Sequence, residues 1–276
     1  MARTSAISLI NAGTLKAELK ELYGYVIENV QKRTLAMALK SQSYTGNPAA
    51  GSVEFRRFAN SKSKVYGTAR TTGKGDEIKA PPTPVNLDQH REIVEEVAKF
   101  DLDTFGIGNI MARRADNHVL TMGSELDVAF FAAGLAGGVD FTPAETTLAD
   151  QLEEYIQALE TVENDFVRGV PRSMMNMVCS TTFFGKVRNM LDLLPNPNVD
   201  TAAEEFGVYH GVRVYSHINI PQEKKASLMI DGAIAQPVVS YPYGEPEKIP
   251  QSNDYSSALF YDYGTKVLTP DLIFNW

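Results

Sequence analysis

The residues best suited to chemistry fall in the stretch "YGTARTTGKGDEIKAPPTP", Tyr66 to Pro84, which is rich in glycine, threonine and lysine. Such a composition suits a phosphate-binding loop, whose G-x-x-x-x-G-K-S/T spacing lets backbone amides cradle phosphates while the hydroxyl holds magnesium. The spacing here does not meet that need. Five residues separate Gly67 from Gly73, and Gly75 stands where the hydroxyl is required. The loop should also open a helix, whereas Pro81, Pro82 and Pro84 follow and block one.

Other reactive side chains are equally scattered. The four histidines, His90, His118, His210 and His217, form no H-E-x-x-H motif, and a single cysteine, Cys179, excludes any C-x-x-C pair. His118 falls on an apolar helical stripe, the setting of a satisfied core or interface histidine. His210 and His217 are seven residues apart, so alternating strand geometry turns them to opposite faces. Glu95-Glu96 and Glu204-Glu205 are sequence neighbours and do not converge as a catalytic dyad would. Hydroxyls and carboxylates in "SNDYSS" and "GTKVLTPD" lack a G-x-S-x-G elbow. The apolar flank "MMNMVCSTTFF" marks Cys179 as a buried structural thiol. No catalytic residue, cofactor or metal ligand is expected, and the protein reads as a non-enzyme.

What must position these residues is a chain of 276 amino acids, 43% hydrophobic and 22% charged, enough for one large domain or two modest ones. The net charge of −8 argues against a general nucleic-acid binder, which needs a clustered basic surface. One cysteine suits a reducing compartment. The N-terminal residues show no long apolar core of a signal peptide, and no run approaches the roughly 20 apolar residues that span a bilayer. A soluble cytoplasmic product without membrane contact is expected.

Residues 12–40 read as an amphipathic helical arm, with Leu15, Leu19, Leu22, Val26 and Val30 recurring at spacings of three and four. "SQSYTGNPAAGS" ends the pattern. "VEFRRF" then alternates like a strand, and "NSKSKVYGTAR" and "TTGKGDEIK" read as two strands around a glycine turn. From Glu54 to Lys79 there are seven basic residues (Arg56, Arg57, Lys62, Lys64, Arg70, Lys74, Lys79) against three acids (Glu54, Asp76, Glu77). This surplus of four positive charges inside an acidic chain, on a segment with little to bury, calls for an acidic partner surface. "REIVEEVAKFDLDTF" accommodates a helical stripe or a strand and is taken as extended. A long helix runs from Ile107 to Ala133 and ends at "GLAGG", where Gly134, Gly137 and Gly138 offer a C-cap. A second spans Thr146 to Phe166, with Thr142 as N-cap, Pro143 at the first position and Glu145 as capping acid. "KASLMIDGAIAQPVVSYPYG" reads as strand, turn and strand, and "SSALFYDYGTKVLTPDLIFNW" as a further strand pair.

This order, from "VEFRRF…DTFG" through "IMARRADNHVLTMGSELDVAFFAAGLAGG" to "EEFGVYHGVRVYSHINIPQEKKASLMIDGAIAQPV", resembles the major capsid protein of tailed bacteriophages with the Hong Kong 97-type fold. Asp127 stands in the long helix before its small-residue end, as in that family's spine helix. The resemblance is one of order and texture, over most of the chain from about residue 50. It implies an α+β capsid fold with five parts: an N-terminal arm (1–50), an extended β-hairpin loop (51–84), a peripheral domain with the spine helix (85–144), an axial domain (145–238) and returning peripheral strands (239–276). It implies a structural protein that assembles with copies of itself into pentamers and hexamers of an icosahedral head in the virion, formed in the host cytoplasm around double-stranded DNA that it does not read. Arg56, Arg57, Lys64, Arg70, Lys74, Asp76 and Glu77 would contact the neighbouring subunit. Pro195, Asn196, Pro197 and Asn198 would form the axial loop. A portal is expected as partner, with decoration proteins and a scaffold that is separate or lacking. The alternatives are an encapsulin-like nanocompartment shell and, from a different class, an α/β enzyme or small-molecule binder.

Overall fold

A strand buried on both faces needs cover from two sides, and Met175–Ser180 is such a strand, buried at all six residues although Asn176 and Ser180 are polar. The fold is built outward from it. In the computed structural model, residues 35–44, 47–68, 71, 75–99, 107–193, 207–221, 223–241 and 247–276 are described. In chain order they form α1 (Leu35–Leu39), β1 (Ser52–Arg56), β2 (Pro82–Asn86), β3 (Gln89–Val97), α2 (Ile107–Gly137), β4 (Val139–Asp140), α3 (Leu148–Glu160), β5 (Met175–Ser180), α4 (Thr181–Asp192), β6 (Val208–Tyr209), β7 (Val212–His217), β8 (Ala226–Ile230), β9 (Ile234–Ala235), β10 (Val238–Tyr241), β11 (Glu247–Lys248), β12 (Tyr255–Tyr263), β13 (Lys266–Val267) and β14 (Ile273–Asn275).

The larger sheet has the order β4-β14-β8-β5-β7-β6, parallel at β4/β14 and β5/β7 and antiparallel elsewhere. Its one face is covered by α3 (Leu152, Tyr155, Ile156, Leu159) and α4 (Phe183, Phe184, Val187, Leu191), with Trp276 in the same cluster. Its other face meets Phe130 and Phe131 of α2 and Ala36 and Leu39 of α1. A second sheet is laid on the nine-residue pairing of β3 with β12, flanked by β10 and β11. Of the segment taken as extended, residues 91–97 are therefore a strand. Its inward residues face α2: Arg91 is 2.5 Å from Glu125, which also accepts from the hydroxyls of Tyr261 and Tyr263.

Several expectations are corrected. The Asp231-Gly232 turn does not close a hairpin, because β8 pairs with β5 and β14 while β9 pairs with β13. The C-terminal strands likewise separate: β12 belongs to the second sheet and β14 to the larger one. The second helix starts at Leu148, with Thr147 rather than Thr142 as N-cap bonded to Asp150, and stops at Glu160. Pro143 lies in the segment before it, where Ala144 and Glu145 donate their N–H groups to Glu154. The long helix continues to Gly137, and its glycines serve close approach rather than a left-handed cap. A Cβ on Gly138 would stand 2.7 Å from both Asn275 and Ile273, and one on Gly137 would stand 2.8 Å from Val267. His210 sits in the β6–β7 turn with φ 47°, so strand alternation does not govern it. The helical arm over 12–40 and the axial loop lie outside the described residues except for α1.

Candidate contact surface: the extended loop

The loop is anchored by a short ladder. β1 and β2 pair antiparallel from Ser52↔Asn86 to Arg56↔Pro82. Val53, Phe55 and Val85 are buried against Ala235, which gives this base a small core. Pro82 and Pro84 occupy alternate positions of β2, so their missing N–H groups face away from β1, as an edge strand permits. Beyond Arg56 the expected strands "NSKSKVYGTAR" and "TTGKGDEIK" do not form among the described residues. Val65, Tyr66 and Ile78 stay exposed, and an uncovered two-stranded ribbon is barely stable in water.

The loop's root is tied to the rest of the chain by charge. Arg57 grips Asp271 with two hydrogen bonds of 2.7 and 2.8 Å, and its guanidinium lies 4.6 Å from the centre of the Phe166 ring. Asn164 adds a 2.6 Å bond to the same carboxylate. Partial burial pushes the Asp271 carboxyl upward, but Arg57 and Asn164 outweigh it and hold the pKa below its ordinary range. Asn60 donates to the Asp165 carbonyl at 2.9 Å, and Lys62 lies 3.5 Å from the Asp165 carboxylate. An open hollow of about 440 Å³ lies between Asn60, Ser61 and residues 166–169.

Each residue assigned to the contact surface from sequence takes a definite place, except Arg70 and Lys74, which lie outside the described residues. Arg56 is half exposed and pairs with Glu54 on its own strand at 2.8 Å. Arg57 is engaged within the chain. Lys64 pairs with Asp76 across the loop, which brings its two limbs together. Glu77 is exposed. Around these charges Val65, Tyr66 and Ile78 are 84%, 90% and 81% exposed, and Phe58 is 64% exposed. Asp165 and Asp271 complete the loop's anchorage. Sequence reasoning missed both, since they are over a hundred residues away in the chain and carry no motif.

An acidic counterpart exists on the same molecule. The outer face of the second sheet carries Glu92, Val94 and Glu96 on β3, directly opposite Phe260, Ala258 and Ser256 on β12. Tyr241 is adjacent, and its hydroxyl donates to Asp262, which also pairs with His90. Val94, Phe260 and Tyr241 are all exposed.

The histidines and the cysteine take structural places. His217 Nδ1 accepts from the Asn219 N–H at 3.2 Å, so Nε2 carries the proton and donates to Asp127 at 2.9 Å. Asp127 in turn accepts the Ala36 N–H at 3.0 Å, pinning α1 to α2. His118 is buried with Nε2 3.2 Å from Glu95. Burial pushes the Cys179 thiol far up, which keeps it protonated. Among the described residues no group of three His, Cys, Asp or Glu side chains could hold a metal ion, and no helix is long and apolar enough to cross a membrane.

No family model and no curated sequence matches the chain. Solved structures do. A chain of Mycobacterium phage Che8 is 16% identical, with 87% of this chain and 93% of that chain covered at a TM-score of 0.57. The capsid of a native GTA particle is 12% identical, with coverages of 90% and 89% and a TM-score of 0.61. A virus-like particle from Pyrococcus furiosus is 11% identical, with coverages of 95% and 97% and a TM-score of 0.55. The chain shares the fold of these structures. It is the α+β Hong Kong 97-type capsid fold, with an extended loop, a long helix between two sheets and a helix-covered mixed sheet.

Proposed function

We propose that the protein is a structural shell subunit, the major capsid protein of a tailed-phage head. The observation that carries this reading is the loop from Arg57 to Pro81, which leaves the core and exposes Val65, Tyr66 and Ile78 among surplus positive charge. A monomeric enzyme gains nothing from such a segment, whereas a subunit that lays it on a neighbour recovers the apolar area and the charge pairing. The acidic face of β3 and β12, with Glu92, Glu96, Phe260 and Tyr241, is the surface of the neighbouring copy that suits it by charge and by apolar content. Arg56, Lys64, Arg70, Lys74, Asp76 and Glu77 are the polar contacts of that joint, and Arg57 fixes the loop's root.

In this reading the second sheet and α2 are the peripheral domain, while the last strand, β14, crosses to the larger sheet. The larger sheet with α3 and α4 is the axial domain, whose 195–198 turn meets its symmetry mates in pentamers and hexamers. The head encloses double-stranded DNA without reading its sequence, assembles in the host cytoplasm and joins a portal, with a scaffold or decoration protein as further partners. Its role is structural, without catalysis.

Assembly tests the reading. Purified protein should form closed shells, and limited proteolysis should cut between Lys62 and Lys79 in free subunits but not in shells. Equal cleavage in both states would refute the loop's role. The similarity to the Pyrococcus furiosus virus-like particle, over 95% of this chain, favours a second reading as a compartment shell protein. Shell contents separate the two: nuclease-protected DNA supports a phage head, and a single co-purifying enzyme supports the compartment.

A further inference from the structure

An edge strand leaves a row of backbone N–H and C=O groups unpaired, and folded proteins keep such strands short or interrupt them with proline. Among the described residues the sheet edges follow that rule with one exception. β4, β6, β9, β11 and β13 have two residues each, β10 has four, and β1 and β2 have five, with Pro82 and Pro84 in β2. β3 has nine, Gln89–Val97, without proline or glycine. One side of it is paired along its whole length with β12, and no described strand lies on the other. Gln89, His90, Arg91, Glu92, Val94 and Glu96 are exposed, whereas Leu259, Tyr261 and Tyr263 of β12 are buried.

We infer that this edge pairs with the same edge of a second copy, antiparallel about a twofold axis through Ile93. Such self-pairing is isologous, so each contact occurs twice with the roles exchanged. In a continuous sheet, residues of one face must meet residues of the same face, so the axis passes through a residue and not between two. With the axis at Ile93 all nine residues pair. Arg91 then stands opposite the partner's Glu95, His90 opposite the partner's Glu96, and Glu92 opposite the partner's Val94. No like charges are opposed. Moving the axis to Val94 sets Glu92 against the partner's Glu96, and moving it to Glu92 sets that carboxylate against the partner's Glu92. Like charges directly opposite across strands are destabilising. The register of longest overlap is thus also the one of complementary charge. Arg91 meets Glu125 through Nε within its own chain, which leaves guanidinium N–H groups for the partner's Glu95. The junction would add about eight to ten ladder hydrogen bonds and join two four-stranded sheets into one. It goes beyond the shell reading and does not depend on it.

The test coexpresses full-length chains that each carry one new cysteine at an exposed position, then oxidises the purified protein in whatever assembly it forms. The native Cys179 is buried and held protonated, so it contributes little background. Directly opposed residues have Cα atoms about 4.5–5.5 Å apart, within disulfide reach, whereas diagonal neighbours at about 7–8 Å are beyond it. Glu92→Cys coexpressed with Val94→Cys should therefore give at least fivefold more disulfide-linked dimer than either variant alone. It should also exceed Glu92→Cys with Glu96→Cys by a similar factor. Equally low yields in all combinations would show that the edges do not meet and would overturn the inference. A maximum for Glu92→Cys with Glu96→Cys would assign a different register, and a maximum for Glu92→Cys with Lys64→Cys would assign the edge to a neighbour's loop. Either would overturn it too. Electron microscopy scores particles separately: shells without the disulfide refute this pairing alone, and disulfide-linked dimers without shells refute the shell reading alone.

Discussion

At the scale of single residues, two charge clusters fix local geometry and set the acid response. Arg57 joins the loop root to Asp271, with both side chains about three-quarters buried. Arg57→Met removes the bidentate pair and strands a largely buried carboxylate, so a loss of about 1–3 kcal/mol in urea unfolding is expected. Because Asp271 titrates below its ordinary 3.8, the pair's contribution is present above that pH and fades as acid is added beneath it. Arg57→Met should therefore flatten the fall in stability below pH 4. Arg172 behaves alike on the larger sheet. It bonds Glu153 and Glu160, and His210 approaches Glu153 at 3.0 Å. Chiefly through Arg172, the Glu153 pKa is held down to about 2 from 4.5. The unfolded chain binds the proton first, so stability should decline between about pH 4.5 and 2, and Glu153→Gln should remove that part of the slope in a pH series of melting temperatures. A slope unchanged in Glu153→Gln would show that Arg172 does not act through this carboxylate.

At the scale of elements, the long helix and the sheet behind it are the most exacting contact. Gly138→Ala would drive a Cβ to 2.7 Å from Asn275 and Ile273 and 2.9 Å from the Gly134 carbonyl. Overpacking of this kind costs about 1–3 kcal/mol, visible as a lowered melting temperature, whereas Gly185→Ala, with no atom within 4 Å of the new Cβ, should not destabilise by packing. Met122→Pro, at a buried position in the middle of α2, should cost about 3 kcal/mol or more by removing a helix bond and clashing with the preceding turn. The helices were legible because Met122, Leu126 and Phe130 repeat at the helical period, whereas the covered strand Met175–Ser180, interrupted by the polar Asn176 and Ser180, was not legible as one. The pairing of strands was not legible. The Asp-Gly turn at 231–232 looks like a hairpin from its neighbours, yet the partners of β8 and β9 are set by tertiary packing about thirty to fifty-five residues away. The glycines at the end of α2 carried a signal, but capping and close approach need the same residue, and only the sheet's position decides between them. The loop was legible in its charge surplus and its few apolar residues. Its internal anchorage, Arg57 to Asp271, was not, because no local pattern ties those positions together.

At the scale of the molecule, the apolar side chains left outside the core are the quantity to explain. Single surface ion pairs are worth about 0–1 kcal/mol, so one loop substitution should leave assembly nearly intact. Reversing Arg56, Arg70 and Lys74 to Glu together should lower particle yield while circular dichroism shows the subunit still folded. Arg57 is excluded from that set, since its loss would disturb the subunit itself. Converse changes on the acidic sheet face, Glu92→Lys with Glu96→Lys, should lower yield in the same way and partly restore it when combined with the reversed loop. Unchanged yield in both sets would remove the joint between loop and sheet. The most direct measurement of the central claim is electron microscopy of the purified protein, paired with sedimentation velocity at the same concentrations. A shell subunit predicts closed, uniform particles with fivefold and sixfold clusters and a sedimenting species far larger than 30.4 kDa. A monodisperse 30.4 kDa monomer that persists at high concentration, with no particles in the field, would contradict it.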